Sequence, residues 1–294
     1  MPKRILLAWP RGYCAGVERA VDTVERALRI YGPPVYVRKQ IVHNIHVVRD
    51  LERKGAVFVE DEAEVPEGAT VILSAHGVAP EVYSNSASRH LNVIDATCPL
   101  VTKVHLEARR FAREAKTILL IGHEGHEEVI GTSGEAPEHI LLVGSPDEAR
   151  TVQLAEPGRV AYLSQTTLSV DETNEVIDVL RERFPQIEAP PRDDICYATQ
   201  NRQEAVKDLA RRSDVILVIG SPNSSNSKRL VEVAESMGTV AYLIDDETEI
   251  RPEMLDGRDV VGVTSGASAP EWLVERVVDH LKAMGATEVE QLHT

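Results

Sequence analysis

Short apolar runs alternate with amphipathic stretches along the whole chain. Ile5-Leu6-Leu7-Ala8 is followed by Val17, Ala20, Val21, Val24, Ala27 and Leu28 with charges between them, the spacing of a helix with one buried face. Residues 35–37, 56–59 and 70–73 read as further strands, with Val47, Val48 and Leu51 as the apolar face of a second helix. Residues 91–94 predict a strand that leads into a helix over 100–115. Beyond it, strands are expected over 117–121, 140–143 and 160–163, a short helical stretch before the last of these, and a helix over 171–184. Ala189-Pro190-Pro191 reads as a linker. The last part repeats the alternation, with strands over 214–219, 240–244 and 260–263 and helices around Leu209, around Leu230 and over 271–284. Such alternation implies α/β architecture with parallel, doubly wound sheets, whose functional groups gather at the carboxyl ends of the strands.

The three cysteines punctuate this pattern. Cys14, Cys98 and Cys196 each stand just before a predicted helix, and each reads as the turn after a strand, Asp193-Asp194-Ile195 being the approach to the third. Each third of the chain also supplies two polar strand-end loops. These are Val42-His43-Asn44 and Ser74-Ala75-His76-Gly77, then Gly125-His126-Glu127-Glu128 and Gln165-Thr166-Thr167, then Ser224-Ser225-Asn226 and Ala267-Ser268-Ala269. Letter identity between thirds is low, so the repeat lies in the order of elements. We expect three pseudo-symmetric α/β domains, over 1–97, 98–192 and 193–294. If their strand ends face a common axis, the three thiols converge and six polar loops ring them.

Composition narrows the chemistry. Of 294 residues 43% are hydrophobic, enough for a full core, and the net charge is −15. That balance argues against nucleic acid as a partner, which needs a basic face, while leaving room for a small anion held by neutral donors and helix N-termini. The apolar run after Lys3-Arg4 is too short for a signal peptide, and no run approaches a membrane span. Three cysteines do not make a disulfide framework, so a reducing, cytoplasmic setting is expected. As isolated residues they would be read as buried structural thiols; their repetition favours a shared role.

Three thiolates suit zinc with a histidine, or three irons of an iron–sulfur cluster. Structural zinc favours close cysteine pairs, and there are none here. A cubane with only three cysteines leaves one iron with an open position, as a catalytic metal requires. No phosphate-binding G-x-x-x-x-G-K-[ST] and no helix-opening G-x-G-x-x-G occurs, and His123-Glu124-Gly125-His126 lacks the spacing of H-E-x-x-H. Singly, His43, His76 and His126 would be ordinary surface or core histidines; in matching strand-end places they are candidates for anion binding. Ser224, Ser225 and Asn226 read equally as a helix cap, which still presents amides to an anion. Thr166 and Thr167 also fit as plain strand residues. His105, His280 and His293 receive no role.

Pro10-Arg11-Gly12-Tyr13-Cys14-Ala15-Gly16-Val17, Ser74-Ala75-His76-Gly77-Val78, Asp95-Ala96-Thr97-Cys98-Pro99-Leu100-Val101, Gln165-Thr166-Thr167-Leu168-Ser169 and Asn223-Ser224-Ser225-Asn226-Ser227 together resemble the LytB/IspH family. The likeness extends from about Ile5 to Leu281. It implies a trefoil of three α/β domains around a [4Fe-4S] cluster and an iron–sulfur oxidoreductase. The implied reaction is reductive dehydroxylation of (E)-4-hydroxy-3-methylbut-2-enyl diphosphate to isopentenyl and dimethylallyl diphosphates, the final step of the non-mevalonate isoprenoid pathway. By the resemblance, Cys14, Cys98 and Cys196 are cluster ligands, and His43, His76, His126, Ser224, Ser225, Asn226 and Ser268 bind diphosphate. Glu128 is the proton donor, Thr166 lies beside the substrate hydroxyl, and Thr167 is its neighbour. The implied electron donor is ferredoxin or flavodoxin. The rival readings are a non-catalytic iron–sulfur carrier or sensor, which needs no acid like Glu128, and a zinc-stabilised scaffold.

Overall fold

The structure, a computed structural model, describes residues 2–292; His293 lies outside them. The elements are β1 (Arg4–Leu7), α1 (Ala15–Tyr31), β2 (Val35–Arg38), α2 (Ile45–Arg53), β3 (Ala56–Val59), β4 (Thr70–Leu73), α3 (Pro80–Ser88), β5 (Asn92–Asp95) and α4 (Pro99–Arg113). They continue with β6 (Thr117–Ile121), α5 (Glu127–Glu135), β7 (Ile140–Val143), α6 (Pro146–Thr151), β8 (Val160–Ser164), α7 (Val170–Arg183) and α8 (Tyr197–Ala210). The remainder comprises β9 (Val215–Ile219), α9 (Ser225–Ser236), β10 (Val240–Ile244), α10 (Pro252–Leu255), β11 (Val260–Ser265), α11 (Glu271–Ala283) and β12 (Glu288–Gln291). Among the described residues no helix is long and apolar enough to cross a membrane.

The strands form three sheets, ordered β10-β9-β11-β1-β12, β3-β2-β4-β5 and β7-β6-β8. All their pairings are parallel, as helical crossovers require. The orders share one plan. In the third sheet a single parallel bridge from Ala161 to Glu188 supplies the place beside β8 that β5 holds beside β4 and β1 holds beside β11. In each sheet the segment in that place is the one that leads to a cysteine.

The strands therefore do not group by the contiguous thirds 1–97, 98–192 and 193–294. β1 is an interior strand of the sheet built from the C-terminal part, registered Ile5 to Val261 on one side and to Val289 on the other. Cys14 thus belongs with the last sheet, Cys98 with the first and Cys196 with the middle one. The physical reason is burial: Ile5 and Leu6 are apolar on both faces and are 0% and 1% exposed, which an edge position would not provide. A second difference concerns Cys196. No strand precedes it, only the Glu188 bridge and an irregular segment, because Pro190-Pro191 removes two backbone donors just there. The pattern also missed four elements, of which α10 is a single four-residue turn. α5 contains Gly131 and Gly134, α3 is rich in Ser and Asn, and β12 has one apolar residue, so none carries a clear period.

By packing, the chain divides into two compact units. One comprises the chain up to Glu18, His43–Arg49 and the chain from Tyr197 on; the other comprises Arg19–Val42 and Asp50–Cys196. In the first, alternate residues of one sheet feed two cores. Val215, Leu217 and Ile219 pack with Leu273, Val277 and Leu281 of α11, while Ile216 and Val218 pack with Val206, Leu209 and Leu230 of α8 and α9. The second unit does the same around β6. Ile118 and Leu120 face Val104, Ala108 and Phe111 of α4, and Leu119 and Ile121 face Val176 and Leu180 of α7. These two-sided cores hold the strand ends, and so the polar loops, in fixed places.

Candidate active site

In the first unit the polar loops follow β9 and β11. Ser224 caps α9, its Oγ accepting from Ser227 N at 3.2 Å and from Ser227 Oγ at 3.0 Å. The loops close tightly on Ser227: a Cβ on Gly220 or Gly266 would stand 2.1 or 2.0 Å from its Oγ. Asn226 is 5% exposed; its Oδ1 accepts from Ala267 N at 2.8 Å, and its Nδ2 donates to Thr199 Oγ1 at 3.3 Å. Ser268 Oγ donates to the carbonyl of His43 at 2.9 Å, and Asn223 Nδ2 lies 3.5 Å from His43 Nδ1. Ser225 occupies the first position of α9. Burial pushes the pKa of His43 down to about 4, so its ring is neutral at pH 7. Cys14 joins this group through its amide, which donates to Ala267 O at 3.1 Å, while Val17 N donates to Cys14 Sγ at 3.4 Å. The result is a set of neutral donors around a helix N-terminus, suited to an anion.

The second unit carries the titratable groups. His126 caps α5, its Nδ1 accepting from Glu128 N at 3.1 Å, so in the neutral ring the hydrogen sits on Nε2. The His76 and His126 rings lie edge to face with centroids 6.1 Å apart. Glu128 is 5% exposed and accepts from Thr166 N at 2.8 Å and from Thr166 Oγ1 at 2.9 Å. Burial raises its pKa above the ordinary carboxylate value, against the opposing pull of the Thr166 hydrogen bonds and of His105. Burial of this kind favours the protonated form of the carboxyl. Thr166 O also accepts from Cys196 N at 3.1 Å, and Cys98 N donates to Ala75 O at 3.0 Å. Each cysteine is thus tied to the loop of its neighbouring strand: Cys98 beside His76, Cys196 beside Thr166, Cys14 beside Ser268.

The second unit gathers His76, His126, Glu128 and Thr166, and the first gathers His43, Ser224, Ser225, Asn226 and Ser268. Thr167 Oγ1 accepts from Gln165 Nε2 at 2.9 Å. Glu128 sits on the first turn of α5 rather than in a loop. Three structural partners escaped the sequence reading. Thr199 receives Asn226, and its place three residues after Cys196 was the available signal. Lys103 donates to Asp193 O at 3.0 Å and to the buried Asp194 Oδ1 at 2.9 Å, pinning the segment before Cys196. His105, to which the sequence reading gave no role, is buried on α4.

None of the three cysteines forms a disulfide, and each is half-buried at a helix start. Among the described residues no three of His, Cys, Asp and Glu are grouped as ligands of a single ion. The chemistry of the donors, three thiols with amide N–H support seen directly at Cys14, fits an iron–sulfur cluster.

Residues 5–282 match the family described as LytB protein. A 4-hydroxy-3-methylbut-2-enyl diphosphate reductase of Acidothermus cellulolyticus is 65% identical over 294 residues, covering 99% of this chain and 86% of that one. The protein of the same name from Streptomyces coelicolor is 61% identical over 289 residues, covering 98% and 86%. Among solved structures, the E-1-hydroxy-2-methyl-but-2-enyl-4-diphosphate reductase of Plasmodium falciparum superposes with a TM-score of 0.96 at 38% identity, over 99% of this chain and 92% of that one. A second, (E)-4-hydroxy-3-methyl-but-2-enyl diphosphate reductase, described as the terminal enzyme of the non-mevalonate pathway, gives 0.66 at 33% identity over 96% and 99%.

Proposed function

The chain belongs to the LytB family, and from that premise we propose that it reductively removes the hydroxyl of (E)-4-hydroxy-3-methylbut-2-enyl diphosphate. The products are isopentenyl and dimethylallyl diphosphates, and the reaction is the terminal step of the non-mevalonate pathway. The observation that carries the reading is Glu128, a buried carboxyl with a raised pKa clasped by Thr166. An electron carrier has no use for such an acid.

The reaction breaks one allylic C–O bond. The oxygen leaves as water with one added proton, and two electrons and a second proton enter the five-carbon skeleton. Cys14, Cys98 and Cys196 would hold a [4Fe-4S] cluster, which when bound would supply electrons and Lewis acidity. The electrons would come from a one-electron protein such as ferredoxin or flavodoxin. Hydroxide is a poor leaving group, so Glu128 delivers the first proton at its carboxyl oxygen, and the Thr166 hydroxyl keeps that carboxyl oriented and touches the substrate hydroxyl. Thr167 only lines its neighbour.

The diphosphate is held by His43, His76 and His126 and by Ser224, Ser225, Asn226 and Ser268. Hydroxyl, amide and imidazole donors serve this purpose despite the charge of −15. Anion charge draws protons onto His76 and His126, strengthening their hold. Three cysteines without disulfides suit a cytoplasmic, reducing compartment.

The test is a reductase assay on the hydroxylated diphosphate with the full chain reconstituted under argon and an artificial reductant. Release of both five-carbon products is expected. Bound iron and sulfide without turnover would leave the carrier reading and overturn this one.

A further inference from the structure

Helix α4 carries a buried histidine that the reaction does not account for. His105 Nδ1 lies 2.9 Å from Glu135 Oε1 on α5, with the two side chains only 6% and 5% exposed, and Arg109 Nε stands 3.0 Å from the other carboxylate oxygen. A carboxylate this close to Nδ1 favours the tautomer with its hydrogen on that nitrogen and leaves the Nε2 edge facing the other way. That edge is wedged between two segments of the candidate site. A Cβ on Gly77 would stand 2.9 Å from His105 Cε1 and 3.2 Å from Nε2. A Cβ on Gly131 would stand 3.3 Å from Nε2 and equally close to the carbonyl of Gly77.

Gly77 directly follows His76, and its φ of +76° admits little but glycine. Gly131 lies three residues after Glu128, on the same face of α5. The ring therefore packs against both the turn bearing His76 and the helix bearing His126 and Glu128, where the two approach each other at Gly77 and Gly131. Its Nε2 is buried with no hydrogen-bond partner among the described residues, so a leucine would fill the wedge at lower desolvation cost. A clamped imidazole that keeps a polar edge toward the site loops is explained by those loops, not by packing alone. Its influence on the Glu128 carboxyl agrees with this placement.

We propose that His105, clamped by Glu135, is a positioning residue that sets His76 against His126 and Glu128. The proposal rests on the diphosphate reading of these residues. The test uses the full chain with its cluster reconstituted anaerobically, titrated with inorganic pyrophosphate by calorimetry and assayed for turnover. His105→Leu removes both nitrogens, Glu135→Ala releases the ring, and Glu135→Gln still accepts from Nδ1. With iron content unchanged, His105→Leu and Glu135→Ala are expected to weaken pyrophosphate binding about fivefold and to lower kcat about tenfold, as a small misplacement of reacting groups does. Glu135→Gln should keep both values within about twofold.

If the unaltered chain binds pyrophosphate and both His105→Leu and Glu135→Ala bind it equally well, the proposal falls while the parent reading stands. If the unaltered chain does not bind it, the parent reading falls and this one with it. A Glu135→Gln variant as impaired as Glu135→Ala would overturn the hydrogen-bonded clamp. Should His105→Leu fail to fold, the two Glu135 variants decide.

Discussion

The two compact units present different chemistry at their strand ends. In the unit that holds β1 and β9 to β12, the gathered groups are hydroxyls, a carboxamide and backbone amides around the start of α9, and the one histidine among them is kept neutral by burial. In the other unit, the gathered groups are two imidazoles and a buried carboxyl with a raised pKa. On the function proposed above, one sheet plan serves two tasks: neutral anion-binding donors in the first case, and in the second a proton-delivering carboxyl beside two further anion-binding imidazoles. Neutral donors keep their affinity across pH, whereas a proton donor must sit near its titration point, so separating the tasks lets each be tuned alone.

The contrast breaks most visibly at Glu128. Glu128→Gln keeps the shape and accepts from Thr166 but carries no acidic proton. We expect turnover to fall at least about 10²-fold with cluster content and substrate binding retained. The same change has a thermodynamic signature. A carboxyl whose folded pKa is raised favours the folded state at pH below the ordinary carboxylate range, and that contribution is lost as pH rises through the raised value. Relative to the unaltered protein, Glu128→Gln should therefore gain stability at pH 8 and lose that advantage near pH 4, which denaturant titrations at the two pH values read directly. Normal turnover with an intact cluster would move the proton donor elsewhere, with the bound diphosphate the next candidate.

Asn226 is the corresponding test of the neutral group. Its side chain ties Ala267 to Thr199 and stands on the first turn of α9. Asn226→Ala should weaken substrate and product binding by about 1–3 kcal/mol, the effect of losing a hydrogen bond to a charged group, with the proton-transfer step untouched. Equal affinities measured by calorimetry would exclude Asn226 from the anion site.

Much of this was readable from the chain. The strands with continuous apolar runs, such as Val215–Ile219 and Thr117–Ile121, sit as expected, and so do the helices with a full apolar stripe. The polar ends of those strands were legible because a parallel sheet confines function to one edge. Pairing was less legible. Ile5-Leu6 shows that β1 is buried on both faces, but nothing local says that its neighbours lie more than two hundred residues away. The repeat was visible in its count of loops and cysteines, yet each cysteine was assigned to the wrong sheet, since chain order and sheet order differ by one step. His105 was hidden because its partners are not local: Glu135, thirty residues on, is buried against it, and the half-exposed Arg109 reaches the same carboxylate.

His43 sharpens the comparison at smaller amplitude. Its ring, lowered by burial to about 4, remains neutral while a free histidine with an ordinary pKa of about 6.5 would charge. A depressed pKa of this kind contributes stability above the unfolded value, and that stability is lost as pH falls through the folded one. The stability difference between the unaltered protein and His43→Gln should therefore shrink as pH falls from about 6.5 to about 4. Ring-proton NMR of the ligand-free protein gives the direct check: a His43 signal titrating at the ordinary histidine value would erase the distinction between the two groups.

The smallest effect is expected beside the largest one. Glu127 precedes Glu128 on α5, but consecutive helical residues point about 100° apart, and the two carboxylates have different surroundings. Glu127 lies 3.8 Å from Lys39 Nζ, and that ammonium already has a closer partner in Glu60 at 2.7 Å. The hydrogen bond to Glu60 is also the first cause of the raised Lys39 pKa, with Glu127 a lesser one. Removing the Glu127 charge therefore leaves Lys39 paired and Thr166 with its own carboxylate. Glu127→Gln should change turnover by less than about twofold and stability by no more than about 0.5 kcal/mol, as for other weak ion pairs near the surface. A tenfold loss of kcat in this variant, with Glu128 intact, would mean that the first turn of α5 acts as one acidic patch, and the assignment of the proton to a single buried carboxyl would have to be withdrawn.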